Sequence, residues 1–145
     1  MKKMFMALLG AGLLATAVFA EGDDTPIQLH QLPGAAREFV KKYFRDVQVA
    51  GAVTKSGVAP AYEVTFVDGS EVGFDSRGEW TEIERPRSVV PKELVPPQIL
   101  KFVAANHPGN RVSGIERDGR SYDIELDNGL LLKFNRKFRL IGMDD

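Results

Sequence analysis

The chain has 145 residues, 43% hydrophobic and 27% charged, with a net charge of −1 and no cysteine. That balance excludes a disordered chain and a disulfide framework, and it lacks the basic excess that a phosphate-binding surface requires. Nucleic acid is therefore not an expected partner.

Met1-Lys2-Lys3 precedes an apolar run from Met4 to Phe19, and Val18-Phe19-Ala20 ends on a small residue. This is the pattern of a secretory signal peptide over 1–20, cut after Ala20. The run is shorter than the roughly 20 residues that span a bilayer as a helix. The mature chain is expected to be exported, most simply to the periplasm, with no membrane span. With no cysteine near the cut, no lipid anchor is expected. Residues 21–26, Glu21-Gly-Asp-Asp-Thr-Pro26, read as a flexible polar lead-in.

The remainder repeats itself. Leu32-Pro33 matches Val95-Pro96, and Phe39-Val40 matches Phe102-Val103. Further along, Tyr62-Glu-Val-Thr-Phe66 matches Tyr122-Asp-Ile-Glu-Leu126, Asp68-Gly69 matches Asn128-Gly129, and Phe74-Asp75 matches Phe134-Asn135. The interval between equivalents shortens where the first half has Ser56-Gly-Val-Ala-Pro60 and the second only Asp118-Gly-Arg120. A hairpin loop absorbs such a change at little cost. One supersecondary unit used twice is the expected organisation, with repeats over 27–84 and 90–145 and a junction at 85–89 around Arg85-Pro-Arg87.

Each unit opens with a helix. Pro33 suits a first helical position, where its missing N–H costs nothing. Ala36, Phe39, Val40, Tyr43 and Phe44 then form one apolar stripe, and Arg37, Glu38, Lys41 and Lys42 lie on the wet side. In the second unit Ile99, Leu100, Phe102 and Val103 build a helix expected to be shorter, ended by Pro108-Gly109.

After each helix the apolar period changes to two. Val47, Val49, Gly51 and Val53 alternate with other residues, as do Val112 and Gly114. Tyr62, Val64 and Phe66 share a face with Val72 and Phe74; Tyr122, Ile124 and Leu126 share one with Leu130, Leu132 and Phe134. Asp68-Gly69 and Asn128-Gly129 signal two-residue hairpin turns of type I′. Fourth strands are expected around Glu79–Ile83 and Arg139–Met143. Each unit thus reads α-β-β-β-β, an α+β fold in which the helix covers the apolar side of its own antiparallel hairpins. The alternating partners then occupy an open face: Glu63, Thr65, Glu71, Gly73 and Asp75 in one unit, Asp123, Glu125, Leu131, Lys133 and Asn135 in the other.

A Leu-Pro helix start, a Tyr-x-(Val/Ile)-x-(Phe/Leu) strand, an (Asp/Asn)-Gly turn and a Phe-(Asp/Asn)-x-x-Gly-x-Trp ending resemble the PepSY-like, beta-lactamase-inhibitor-like family of small exported bacterial proteins. The first unit has the whole pattern, ending Phe74-Asp-Ser-Arg-Gly-Glu-Trp80. The second has Phe138 for the glycine and Leu140 for the tryptophan, a departure that bears on its last turn. The resemblance spans nearly all of the chain after the signal. It implies tandem repeats forming a curved antiparallel sheet with helices on one face, like beta-lactamase inhibitory protein. It supplies no catalytic motif.

The residues themselves offer little chemistry. His30 and His107 are the only histidines and read as exposed loop and helix-end residues. The acidic set Glu63, Glu71, Asp75, Asp123 and Glu125 reads as a solvated face, because a calcium site usually gathers its oxygens from one tight loop. No Ser/His/Asp order and no phosphate-cradling glycine loop is present, so no enzyme activity, cofactor or metal is expected. The expected function is that of a periplasmic binding module docking an envelope protein, extending to inhibition of an envelope enzyme. Its expected contact residues are Glu63, Thr65, Glu71, Asp75, Trp80, Asp123, Glu125 and Lys133, with Trp80 a hot spot if exposed. The rival expectation is a small-ligand or ion carrier of the envelope, which would need convergent polar groups in a pocket.

Overall fold

The computed structural model describes residues 24–57 and 61–145. The expected signal peptide and Glu21–Asp23 of the lead-in lie outside them. The chain divides into two compact units, one ending at Glu82 and one beginning at Ile83.

The first unit contains β1 (Asp24–Ile27), α1 (Gly34–Tyr43), β2 (Val49–Lys55), β3 (Ala61–Phe66) and β4 (Glu71–Phe74). Strand β5 (Trp80–Glu84) spans the division. The second unit continues with α2 (Pro97–Asn106), β6 (Val112–Arg117), β7 (Ser121–Leu126), β8 (Leu131–Asn135) and β9 (Leu140–Asp144). The strands are antiparallel and follow chain order, giving an α+β fold of nine strands and two α-helices among the described residues.

Of the stripe read from the spacing of α1, Ala36 and the capping Phe44 are buried, and Phe39, Val40 and Tyr43 are half-buried. Phe44 stacks on Phe66 with ring centroids 4.6 Å apart, and Phe39 meets Phe74 edge-on at 5.6 Å. In the second unit Phe102 meets Phe134 edge-on at 5.3 Å. The strand residues beneath the helices, Val64, Phe66, Val72, Phe74, Ile124, Leu126, Leu132 and Phe134, are all buried. Full burial of one such aliphatic or aromatic side chain is worth about 1.5–3 kcal/mol, so these layers hold each unit together. No helix among the described residues is long and apolar enough to cross a membrane.

Several expectations are corrected. Asp24-Thr25-Pro26 of the lead-in is not flexible: it belongs to β1 and pairs with β2, Asp24 opposite Lys55 and Ile27 opposite Ala52. Pro33 caps α1 instead of opening it, so Gly34 is the first helical residue. The two helices are equal, at 10 residues each.

The hairpin turns are not type I′. Gly69 N–H donates to Phe66 C=O (3.0 Å), and Ser70 C=O accepts from Phe66 N–H (2.9 Å). Gly69 has φ of 93°, while Asp68 stays at negative φ. The loop is therefore three residues long, with glycine in the left-handed position that closes it. Asp127, Asn128 and Gly129 do the same in the second unit. In both, the Asp68 or Asn128 side chain accepts the N–H two residues on, which stabilises the bend without positive φ.

A bulge also reverses an expected face. Register slips between Val49 and Gly51, and again between Val112 and Gly114. Beyond the slip, Ala52 sits opposite Val64 and Val53 opposite Glu63. Val53 thus stands on the charged side of the sheet, not in line with Val49. One extra residue exchanges the faces of everything after it.

Candidate functional site

Cross-strand register decides which side chains share the face away from the helices. In the first unit Glu63 lies between Val53 on β2 and Gly73 on β4, and Thr65 lies between Gly51 and Glu71. Lys55 reaches across this face. Its Nζ is 3.4 Å from Glu63 Oε1 and 3.9 Å from Asp24 Oδ2. Gly73 leaves room for the neighbouring strand: a Cβ there would lie 3.9 Å from Glu82 Oε1. The result is a group of four acids, Asp24, Glu63, Glu71 and Glu82, around one lysine.

Glu71 is the unusual member. Its side chain is buried to 8% exposure. Burial, then the charges of Glu63 and Glu82 and a hydrogen bond with Glu63, push its pKa up to about 7. Lys55 opposes this shift but does not cancel it. For Lys55, burial favours the neutral form, but Glu63 and Asp24 outweigh it and its pKa rises. A carboxyl crowded by other acids in a partly dry place favours its protonated form, and Glu71 is that carboxyl here.

The second unit presents a different set. Asp123 lies between Glu116 on β6 and Lys133 on β8, with Lys133 Nζ 3.6 Å from Asp123 Oδ1. Glu116 is pushed up first by burial, then by Asp123 and Asp118, and Glu125 by burial alone. Leu131 stands where the first unit has Glu71, beside Glu125. This face is therefore less acidic and partly apolar.

The expected contact residues do not all stand open on the strand faces. Glu63 and Thr65 share the first unit's face, and Asp123, Glu125 and Lys133 share the second's, all half-buried. Glu71 is on its face but is not displayed, contrary to the reading of a solvated acid. Trp80 is part of the buried core at 8% exposure, so it is no exposed hot spot. Asp75 serves its turn: its Oδ1 accepts the N–H groups of Arg77 (2.9 Å) and Glu79 (3.0 Å). His30 is exposed and its carbonyl accepts from Arg37, while half-buried His107 caps α2 through its N–H to Val103 C=O. Among the described residues no group of three or more His, Asp or Glu is placed to hold a metal ion.

Sequence reasoning missed Asp24, Lys55, Glu82 and Glu116. Lys55 and Glu116 lie beyond the bulges, where simple alternation assigns the wrong face. Asp24 was hidden by the polar composition of its strand.

Residues 60–142 match the family model described as "Putative beta-lactamase-inhibitor-like, PepSY-like". The chain belongs to this PepSY-like family. A "putative periplasmic protein from DUF2874 family" from Bacteroides vulgatus ATCC 8482 is 39% identical, with a TM-score of 0.82 over 87% of this chain and 100% of that one. A "putative calcium-regulated periplasmic protein" from Bacteroides thetaiotaomicron is 41% identical, with a TM-score of 0.82 over 85% of this chain and 98% of that one. A second Bacteroides vulgatus protein, described as of unknown function, is 33% identical, with a TM-score of 0.79 over 84% and 99%. No curated protein matches.

Proposed function

We propose that this PepSY-like protein is a periplasmic binding module, not a catalyst, and that it docks an envelope protein through the strand faces opposite its helices. The observation behind this reading is the division of each unit. Apolar strand residues meet the helix, while Glu63, Thr65 and Lys55, or Asp123, Glu125, Leu131 and Lys133, stand on the other side. A face of mixed charge with an apolar residue among it suits a specific protein partner, because charge pattern selects the partner and sets the encounter rate. The periplasmic assignment is supported by the signal-like N-terminus and by the descriptions of the similar proteins. Inhibition of an envelope enzyme is the finer form of this function and rests on the family's description alone.

The test compares capture from periplasmic extract by the wild type and by a Glu63→Lys/Glu125→Lys variant whose melting curve matches it. Loss of one discrete partner supports the reading, and identical capture by the two proteins contradicts it. Ion carriage is the second reading, favoured by the buried Glu71 beside Glu63 and Glu82 and by the calcium-regulated description of the Bacteroides thetaiotaomicron protein. It takes second place because Glu63 is already engaged by Lys55 and by Glu71. A rise in melting temperature on adding calcium, abolished by Glu71→Gln, would reverse that order.

A further inference from the structure

The turn between β8 and β9 has the backbone of the turn between β4 and β5 and a different charge. Asn135 Oδ1 accepts the N–H groups of Lys137 (2.9 Å) and Arg139 (3.0 Å), as Asp75 Oδ1 accepts those of Arg77 and Glu79. Yet Ser76, Arg77 and Glu79 of the first unit correspond to Arg136, Lys137 and Arg139 of the second. Those positions carry no net charge in the first unit and three positive charges in the second, and the turn geometry requires none of them. All three side chains are exposed, and among the described residues no acid forms an ion pair with them.

A second hairpin tip lies alongside. Ser121, which opens β7, pairs with Asn135, which ends β8, so exposed Arg120 is carried at the same end of the sheet as Arg136. Asp118 is the acid of that tip, and its Oδ1 accepts the N–H groups of Arg120 (2.8 Å) and Ser121 (3.0 Å). Like charges gathered in this way repel one another, a cost that an anion facing them would offset. Ile141, two residues beyond Arg139, is 56% exposed where the pairing of β8 with β9 slips. Cations beside an exposed apolar residue match the boundary of an anionic bilayer, where phosphates meet the cations and the edge of the acyl region takes the apolar group. Two adjoining turn tips meet a broad surface of many phosphates more readily than they enclose one anion or hold an extended peptide. The chain's net charge of −1 gives it no overall attraction to such a surface, so the attraction is local to this end. We infer that this end of the second unit, through Arg120, Arg136, Lys137 and Arg139, docks on the anionic phospholipid headgroups of an envelope membrane, a contact separate from the strand faces.

Co-sedimentation with vesicles at low salt tests this, using protein purified from the periplasm. Vesicles of phosphatidylglycerol and phosphatidylcholine in equal parts are expected to bind it, and vesicles of phosphatidylcholine alone are not. Arg136→Ser/Arg139→Glu supplies the first unit's residues, which the same turn geometry already accommodates, and is expected to weaken binding about a hundredfold. Arg120→Gln, in the other tip, is expected to weaken it about fivefold. Lys41→Ser/Lys42→Glu makes the same change of net charge as the turn variant, but on α1, and is expected to leave binding intact. Failure of the wild type to bind the phosphatidylglycerol vesicles would overturn the inference, as would equal weakening by the α1 variant or no weakening by either tip variant. Capture of the wild type by immobilised polyglutamate, but not by the vesicles, would overturn it in favour of an acidic protein partner.

Discussion

Gly78 and Phe138 hold the same place in equivalent turns and meet opposite surroundings. In both turns an Asp or Asn side chain accepts two N–H groups: Asp75 from Arg77 and Glu79, Asn135 from Lys137 and Arg139. Both closing residues have positive φ, 88° for Gly78 and 62° for Phe138. A Cβ on Gly78 would come within 2.9 Å of Pro33 Cβ and 3.0 Å of the Ala36 backbone nitrogen. Gly78→Ala is therefore expected to cost about 2–4 kcal/mol in urea unfolding, from left-handed strain plus a clash with helix backbone. Phe138 carries its strain in exchange for a ring contact with Tyr122, 5.6 Å between centroids. Phe138→Gly is expected to stay within about 1 kcal/mol of wild type, because relief of strain offsets the lost contact. The departure from the family pattern at this position thus leaves the turn geometry intact.

Glu71 gives the residue scale its pH dependence. Its pKa is about 7 in the folded chain, against 4.5 for an ordinary glutamate, with Glu63, Glu82 and Lys55 the charged groups that act on it. Between those values the folded chain holds a proton that the unfolded chain has released. Its contribution is therefore greatest below pH 4.5, declines as pH rises to about 7, and is flat above. Glu71→Gln should remove a decline on the order of 2–3 kcal/mol between about pH 5 and about pH 8, read by urea melts at the two values. An unchanged slope in the variant would show that Glu71 is not the proton holder.

Among the elements, the aromatic contacts between helix and strand dominate. Phe134→Ala removes a fully buried ring that meets Phe102, and a loss of about 3–5 kcal/mol is expected, measured by denaturant midpoint. These contacts were legible in the sequence because a helical stripe and a strand alternation each report one buried side. The order α-β-β-β-β in each repeat was legible for the same reason, and so were Glu63, Thr65, Asp123, Glu125 and Lys133 as members of the charged faces. The remainder was not, for local physical reasons. A β-bulge leaves no mark in composition, so Lys55 and Glu116 fell on the wrong side. Strand β1 is polar and contains a proline, and only its pairing with β2 makes it a strand. Burial of Glu71 depends on neighbours from other strands, and Trp80 on how the turn before it delivers the chain. Alternation cannot express either.

For the molecule as a whole, the two units each follow a helix with antiparallel strands and carry different charged faces. The first unit clusters acids around Lys55, whereas the second pairs Asp123 with Lys133 and substitutes Leu131 for Glu71. The most direct measurement is site-specific photo-crosslinking in the envelope of the producing cell. Probes would replace Thr65 and Glu125 on the strand faces, and Lys42 and Lys101 on the wet sides of the helices. The account predicts discrete crosslinked partners from Thr65 and Glu125 and none from the helix positions. Adducts confined to Lys42 and Lys101 would contradict it.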